Sequence, residues 1–149
     1  MAHTYTDILM HVVFSTKDRM PLLTSDLKPK LFAYMGGICE NLKCVPHKIN
    51  GPDDHLHLLV GMTPTIATSD FLRLLKSNSS KWVNEQQPSD PFDWQTGYAA
   101  FSVSHSNQEA VFKYIENQEE HHKKITFKQE LLALLKKHGI KYDERYIWK

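Results

Sequence analysis

The sequence contains no long hydrophobic run. Among its 149 residues there is no stretch of about 18 apolar residues, which excludes a helix spanning a membrane. A basic start followed by an apolar stretch is also missing. The chain begins Met1-Ala2-His3-Thr4-Tyr5, so no secretory leader is expected and the cytoplasm is the expected location. Cysteine is scarce. Cys39 and Cys44 stand five apart, the spacing of neither a zinc pair nor a C-x-x-C redox motif, and both are expected as reduced thiols near a helix end. There is no excess charge of one sign either: the formal net charge of +1 gives by itself no reason to expect nucleic acid. Internal repeats and low-complexity tracts are absent.

What is present reads as one globular domain over residues 1–149, with 41% hydrophobic and 23% charged residues. The small net charge hides an uneven distribution. Between Asp70 and Glu85 there is no acid, but there are Arg73, Lys76 and Lys81. The last third carries Lys113, Lys123, Lys124, Lys128, Lys136, Lys137 and Lys141. Nine histidines are more than packing usually asks of a domain this size.

Residues 8–16 are rich in β-branched and aromatic side chains and predict a strand. Ser25 or Asp26 can cap a helix to about residue 43, with Leu27, Leu31, Met35, Ile38 and Leu42 along one side and Gly36-Gly37 weakening its middle. Short strands follow at 45–50 and 55–62, joined by the turn Gly51-Pro52-Asp53-Asp54. Thr68, Ser69 or Asp70 can cap a second helix to about residue 86. Residues 98–104 predict a fourth strand, 107–122 a helix capped by Asn107, and 126–138 another, stopped by Gly139. The aromatic tail 142–149 is expected to pack on something. This order is the split βαβ pattern of an α+β, ferredoxin-like (RRM-like) fold. It implies an antiparallel sheet with two helices on one face, the other face free for function, and an extra C-terminal helix carrying Tyr114.

Residues two apart on a strand point to the same side, so His55 and His57 face one way while Leu56, Leu58 and Val60 face the other. Two imidazoles on a rigid strand make half of a divalent-metal site. H-x-H alone is weak, since two polar residues on a solvated edge strand give the same pattern. Here the strand reads as central, where a histidine pair needs a reason. Tyr114 and Gln118 are four apart and share a helix face, with His121 and His122 continuing near it. A phenol is a poor nucleophile at neutral pH, with a pKa near ~10, unless a metal polarises its target or helps to deprotonate it. The Gln118 carbonyl suits a hard cation such as Mg²⁺ or Mn²⁺ as a third ligand. On the second helix Arg73, Lys76, Ser77, Ser80 and Lys81 form one stripe, opposite Phe71, Leu74, Leu75 and Trp82. Such a stripe is commonly a solvated face; read functionally, it is a phosphate track.

Taken together, these residues resemble the HUH-superfamily single-tyrosine transposases of small bacterial insertion sequences. The resemblance covers almost the whole chain. It rests on His11-Val12-Val13-Phe14-Ser15-Thr16-Lys17, Asp54-His55-Leu56-His57-Leu58-Leu59-Val60, Lys76-Ser77-Asn78-Ser79-Ser80, Tyr114-Ile115-Glu116-Asn117-Gln118 and His121-His122. One departure is Ser104, where many relatives carry glycine. The resemblance implies that His55, His57 and Gln118 hold the metal and that Tyr114 attacks the scissile phosphodiester of single-stranded DNA; His122, one turn past Gln118, is an alternative to Gln118 by its position. The 3′-hydroxyl then leaves, a 5′-phosphotyrosine forms, and a free 3′-hydroxyl can reverse the step on another strand. It also implies hairpin-containing element ends as substrate and a homodimer whose sites are shared between subunits. Lys17, Arg19, Arg73, Lys76 and Lys81 are the phosphate-binding candidates.

Two other readings compete. The first is a non-catalytic, RRM-like single-stranded nucleic-acid module, for which Gly97-Tyr98-Ala99-Ala100-Phe101 faintly resembles an aromatic RNA-binding strand. The second is a zinc hydrolase using His55, His57 and His121 or His122. It lacks a glutamate beside the pair as general base and leaves Tyr114 idle.

Overall fold

The computed structural model describes residues 3–149, so Met1 and Ala2 of the starting segment lie outside the described residues. The elements are β1 (Leu9–Ser15), α1 (Leu27–Asn41), β2 (Val45–Asn50), β3 (His55–Gly61), α2 (Thr68–Gln86), β4 (Ala99–Val103), α3 (Gln108–Glu116), α4 (Gln118–His121) and α5 (Phe127–Lys137). The four strands form one sheet in the order β2-β3-β1-β4, with every pairing antiparallel. This is the expected α+β architecture, and it makes the histidine strand β3 central. Among the described residues no helix is long and apolar enough to cross a membrane.

Strand alternation splits the sheet into two chemically different faces. Met10, Val12 and Phe14 of β1 and Leu56, Leu58 and Val60 of β3 point into the main core, where α1 and α2 cover them with Leu31, Met35, Phe71, Leu72 and Leu75. Leu9, His11, Val13 and Ser15 alternate to the other face of β1, and His55 and His57 to the same face of β3. That face is not left open. Phe127, Leu131 and Leu135 of α5 pack on Val13 and Phe101 in a smaller core that Trp148 of the tail joins. The face expected to be free is therefore roofed by α5, and its polar groups are buried under that roof.

Several local expectations shift for identifiable reasons. Helix α1 starts at Leu27, where Thr24 Oγ1 accepts from the Leu27 backbone N–H at 3.2 Å. It runs unbroken through Gly36-Gly37, because Met35, Ile38 and Cys39 are buried on either side of the pair. Helix α2 is preceded by Ala67 in an extended conformation, and no side chain caps it. The single helix expected over 107–122 breaks at Asn117, at φ −94° and ψ 16°. The Asn50 amide explains the break: its Nδ2 donates to the carbonyls of Ile115 and Glu116, both at 3.0 Å, taking acceptors that a continuing helix would use. Gly51 is required by close approach, since a Cβ there would stand 2.2 Å from the His55 carbonyl oxygen and 2.8 Å from Leu56 Cα. A capping box of Thr126 and Gln129 starts α5, and Gly139 follows its end at φ +65°. Cys39 and Cys44 are both free and buried, and burial pushes the Cys39 thiol up to about 12.

Candidate active site

His55 and His57 are fully buried, side by side under α5, and their Nε2 atoms converge on one carboxylate oxygen. Glu130 Oε1 lies 3.0 Å from His55 Nε2, 2.9 Å from His57 Nε2 and 2.9 Å from His122 Nε2. The three imidazoles present their other nitrogens to separate partners. His55 Nδ1 is 2.7 Å from Asp54 Oδ1, His57 Nδ1 is 2.7 Å from His11 Nε2, and His122 Nδ1 is 2.9 Å from the Ile125 carbonyl. A fixed Nδ1 partner sets ring orientation and leaves Nε2 for an inner ligand. One donor atom from each of His55, His57, His122 and Glu130 lies within 4.8 Å of all the others, a grouping whose chemistry fits a divalent cation.

Tyr114 joins the same cluster from α3. Its hydroxyl donates to Glu130 Oε2 and lies 3.4 Å from His121 Nε2. Its ring meets those of His57 and His11 edge-on, at centroid distances of 5.7 and 6.0 Å. Burial first, then the negative charge of Glu130, pushes the phenol above its ordinary range. In this arrangement it is a protonated hydrogen-bond donor, and a nearby cation is what would reverse that balance. Gln118 is completely buried. Its Nε2 donates to Glu130 Oε2 at 3.1 Å, while its Oε1 has no partner. A buried amide oxygen without a partner is a second sign that the site suits a cation or a ligand.

Glu130 was not legible as a site residue, yet it binds the whole cluster together. Burial acts to raise its carboxyl, but hydrogen bonds from His122, His55 and His57 outweigh this and hold it far below the usual carboxylate range. The sequence does contain one signal: Glu130 interrupts the apolar stripe of Phe127, Leu131 and Leu135. The glutamate that the zinc-hydrolase reading lacks next to the pair in sequence is thus supplied in space. Tyr114 touches the same carboxylate and is not idle.

The residues predicted to bind phosphate are placed as follows. Arg73, Lys76, Ser77 and Ser80 do line one groove, of about 400 Å³, but α2 is on the sheet face opposite the histidines. Lys76 is engaged as a strut: its Nζ donates to the carbonyls of Thr96 (3.0 Å) and Gly97 (2.7 Å), and burial lowers it to about 8. Arg19 donates to the Trp148 carbonyl at 3.0 Å. Lys17 and Lys81 are exposed. Other cations line clefts that reach the cluster. Lys123 and Lys124 line a groove of about 560 Å³ that reaches Asp54 and His122, and Lys137 lines a cleft of about 280 Å³ that reaches Tyr114 and His11.

The buried histidines predict acid sensitivity. Burial chiefly lowers His11 to about 3 and His57 to about 4, the neighbouring imidazoles adding to the shift and Glu130 opposing it. Both folded values lie below the unfolded value near ~6.5, so the unfolded chain binds more protons between these limits and stability rises with pH there. The contribution is fully present above pH ~6.5 and is lost on acidification towards pH 3–4. From pH 7 to pH 5 each group should cost about 2 kcal/mol. Urea unfolding of metal-free protein at the two pH values checks this. A His11→Gln chain should lose about 2 kcal/mol less than wild type over that interval.

The chain is similar to known proteins in sequence and in fold. The family described as IS200-like transposase matches residues 4–118. The transposase of insertion sequence IS200 from Salmonella typhimurium is 27% identical over 131 residues, covering 83% of this chain and 84% of its own. The ISDra2 transposase of Deinococcus radiodurans is 25% identical over 114 residues, covering 72% and 81%. Among solved structures, a candidate transposase from Deinococcus radiodurans superposes with a TM-score of 0.62 at 25% identity, covering 79% of this chain and 96% of that one. A REP-associated tyrosine transposase bound to a REP hairpin gives the same TM-score at 11% identity, covering 84% and 74%, a likeness of fold. With most of its length matched by that family, and with two buried histidines and a tyrosine meeting at one carboxylate, the chain belongs to the IS200-like transposases.

Proposed function

We propose that residues 1–149 act in the cytoplasm as one catalytic domain that cleaves and rejoins single-stranded DNA at insertion-sequence ends through a 5′-phosphotyrosine on Tyr114. The observation that carries this reading is the meeting of the Tyr114 phenol with the His55–His57–His122 cluster at Glu130. His55 and His57, with His122 and Gln118 in reach, would hold a divalent cation, which would supply polarisation of the scissile phosphate. The chain does the rest. Tyr114 Oη forms a bond to phosphorus as the bond to the 3′-oxygen breaks, and that oxygen leaves as a 3′-hydroxyl once protonated. The Glu130 carboxylate orients the phenol, and the phenol proton departs towards His121 Nε2, 3.4 Å from the hydroxyl. One phosphoester replaces another, so a free 3′-hydroxyl can run the step backwards and join strands without a nucleotide cofactor.

The substrate class we assign is single-stranded DNA with a hairpin beside unpaired bases. The grooves at Lys123–Lys124 and at Lys137 reach the cluster from two sides, and the exposed His138 ring, backed by the buried Phe101 at 4.4 Å, lines the second. Base–aromatic stacking there would contribute ~1–3 kcal/mol per base. We retain a homodimer, with each Tyr114 acting on the histidines of its own chain, because one chain already brings them together. Incubation with labelled single-stranded DNA containing a hairpin, with and without a divalent metal, tests the reading on a denaturing gel. The expected result is a metal-dependent covalent protein–DNA band. Binding without any such band would favour the RRM-like module.

A further inference from the structure

Resting on the reading that Tyr114 cleaves single-stranded DNA, we propose that the two clefts beside the cluster divide the cut strand between them with a fixed polarity. The side that keeps the 5′-phosphate, and stays on Tyr114, lies in the cleft of Lys137 and His138. The side that leaves with a free 3′-hydroxyl lies in the groove of Lys123 and Lys124.

The register of the sheet puts the two at opposite ends of the site. The groove reaches the start of β3, where Asp54 and His122 line it beside His55. The cleft reaches His11, which pairs with Leu59, four residues beyond His55 along β3 and about 13 Å away at the rise of a strand. No residue lines both. Tyr114 belongs to the wall of the cleft, and from there its hydroxyl points to Glu130. Phosphoryl transfer keeps the entering and leaving oxygens roughly in line, on opposite sides of phosphorus. As the bond from Tyr114 Oη to phosphorus forms from the cleft side, the bond to the 3′-oxygen breaks on the far side, towards the groove. The nucleotides still joined through the 5′-phosphate stay with Tyr114.

Charge makes the same assignment independently. The lining of the cleft holds Lys137 and no acid, which suits the fragment whose end carries the phosphate. The groove sets Lys123 and Lys124 against Asp53, Asp54 and Glu119, and Lys123 is already held by Glu120 at 2.8 Å. A mixed wall of this kind suits an end that is an uncharged hydroxyl, with Lys124 for the linkage behind it. In the cleft the exposed His138 ring, backed by Phe101, gives the base next to the 5′-phosphate a face to stack on. The family match ends at residue 118, before Lys123, Lys124, Lys137 and His138.

Two oligonucleotides that mimic the products, bound to the full chain and followed by fluorescence anisotropy, provide the test. One begins with a 5′-phosphate; the other ends in a 3′-hydroxyl and has no terminal phosphate. Lys137→Glu should weaken the first at least about 10-fold and the second less than about twofold, and should remove the advantage that the 5′-phosphate gives wild type. Lys124→Glu should weaken the second about 5-fold and spare the first. His138→Ala should weaken the first about 5-fold. All three side chains are exposed, so these variants keep the fold. The opposite pairing of variants with oligonucleotides, or equal losses on both, overturns the polarity. Covalent adduct formation by wild type on intact hairpin DNA is measured beside them. An adduct together with the opposite pairing sinks the polarity alone, whereas no adduct sinks the cleavage reading and the polarity with it.

Discussion

A Tyr114→Phe chain is expected to yield no covalent protein–DNA product, a loss of at least about 10⁴-fold, because removing a nucleophile removes the bond it would form. Only the hydroxyl changes. The ring keeps its edge contacts with His57 and His11, so the histidine cluster should remain assembled and bind metal as before. Glu130 Oε2 loses one donor but still accepts from Gln118 Nε2 at 3.1 Å, with His121 Nε2 at 3.3 Å. The stability cost should therefore be about 1 kcal/mol, within reach of urea unfolding. The informative readout is the pair of measurements: an adduct absent on a denaturing gel, and metal affinity within a factor of about three of wild type. An adduct that persists assigns the nucleophile to another residue. An adduct lost together with metal binding gives Tyr114 a structural part in the site instead.

The pieces of this site differ in how far the sequence revealed them, and the difference is physical. His55 and His57 are two apart on a strand, so local periodicity alone puts them on one side, and β3 does place both under the α5 roof. Tyr114 and Gln118 are four apart, and both reach Glu130 even though the helix breaks between them at Asn117. The break itself depends on Asn50, 65 and 66 positions away from the carbonyls it takes, which no local pattern encodes. Glu130 was hidden for a similar reason. Its importance comes from α5 folding back across the sheet, and only its presence in the apolar stripe of Phe127 and Leu131 marked it. His11 lay in the quoted strand motif without a role, and pairing β1 with β3 gave it one, against His57 Nδ1. The stripe of Arg73 and Lys76 was real as a stripe, but periodicity cannot say which face of the sheet a helix covers, and α2 covers the apolar one.

An equal mixture of His57→Ala and Tyr114→Phe chains is expected to remain as inactive as either alone, below about 1% of wild type. His57→Ala removes one of the three imidazoles around Glu130 Oε1 and deprives His11 of its partner, so a chain carrying it cannot form the site around its own Tyr114. The Tyr114→Phe chain keeps the histidines and lacks the nucleophile. If tyrosines served the neighbouring subunit, half of the dimers in the mixture would be mixed and one site in each would be intact, restoring roughly a quarter of wild-type adduct formation. The contacts of α3 argue against that exchange. It is tied to β2 of its own chain by Asn50 on the carbonyls of Ile115 and Glu116, by Lys48 at 3.8 Å from Glu116, and by the same lysine 5.3 Å over the Phe112 ring. α5 adds the packing of Phe127, Leu131 and Leu135 on Val13 and Phe101. Serving a neighbour would require these contacts to be released and remade in the partner at each encounter, and a recovery near a quarter of wild type is the result that would show they are.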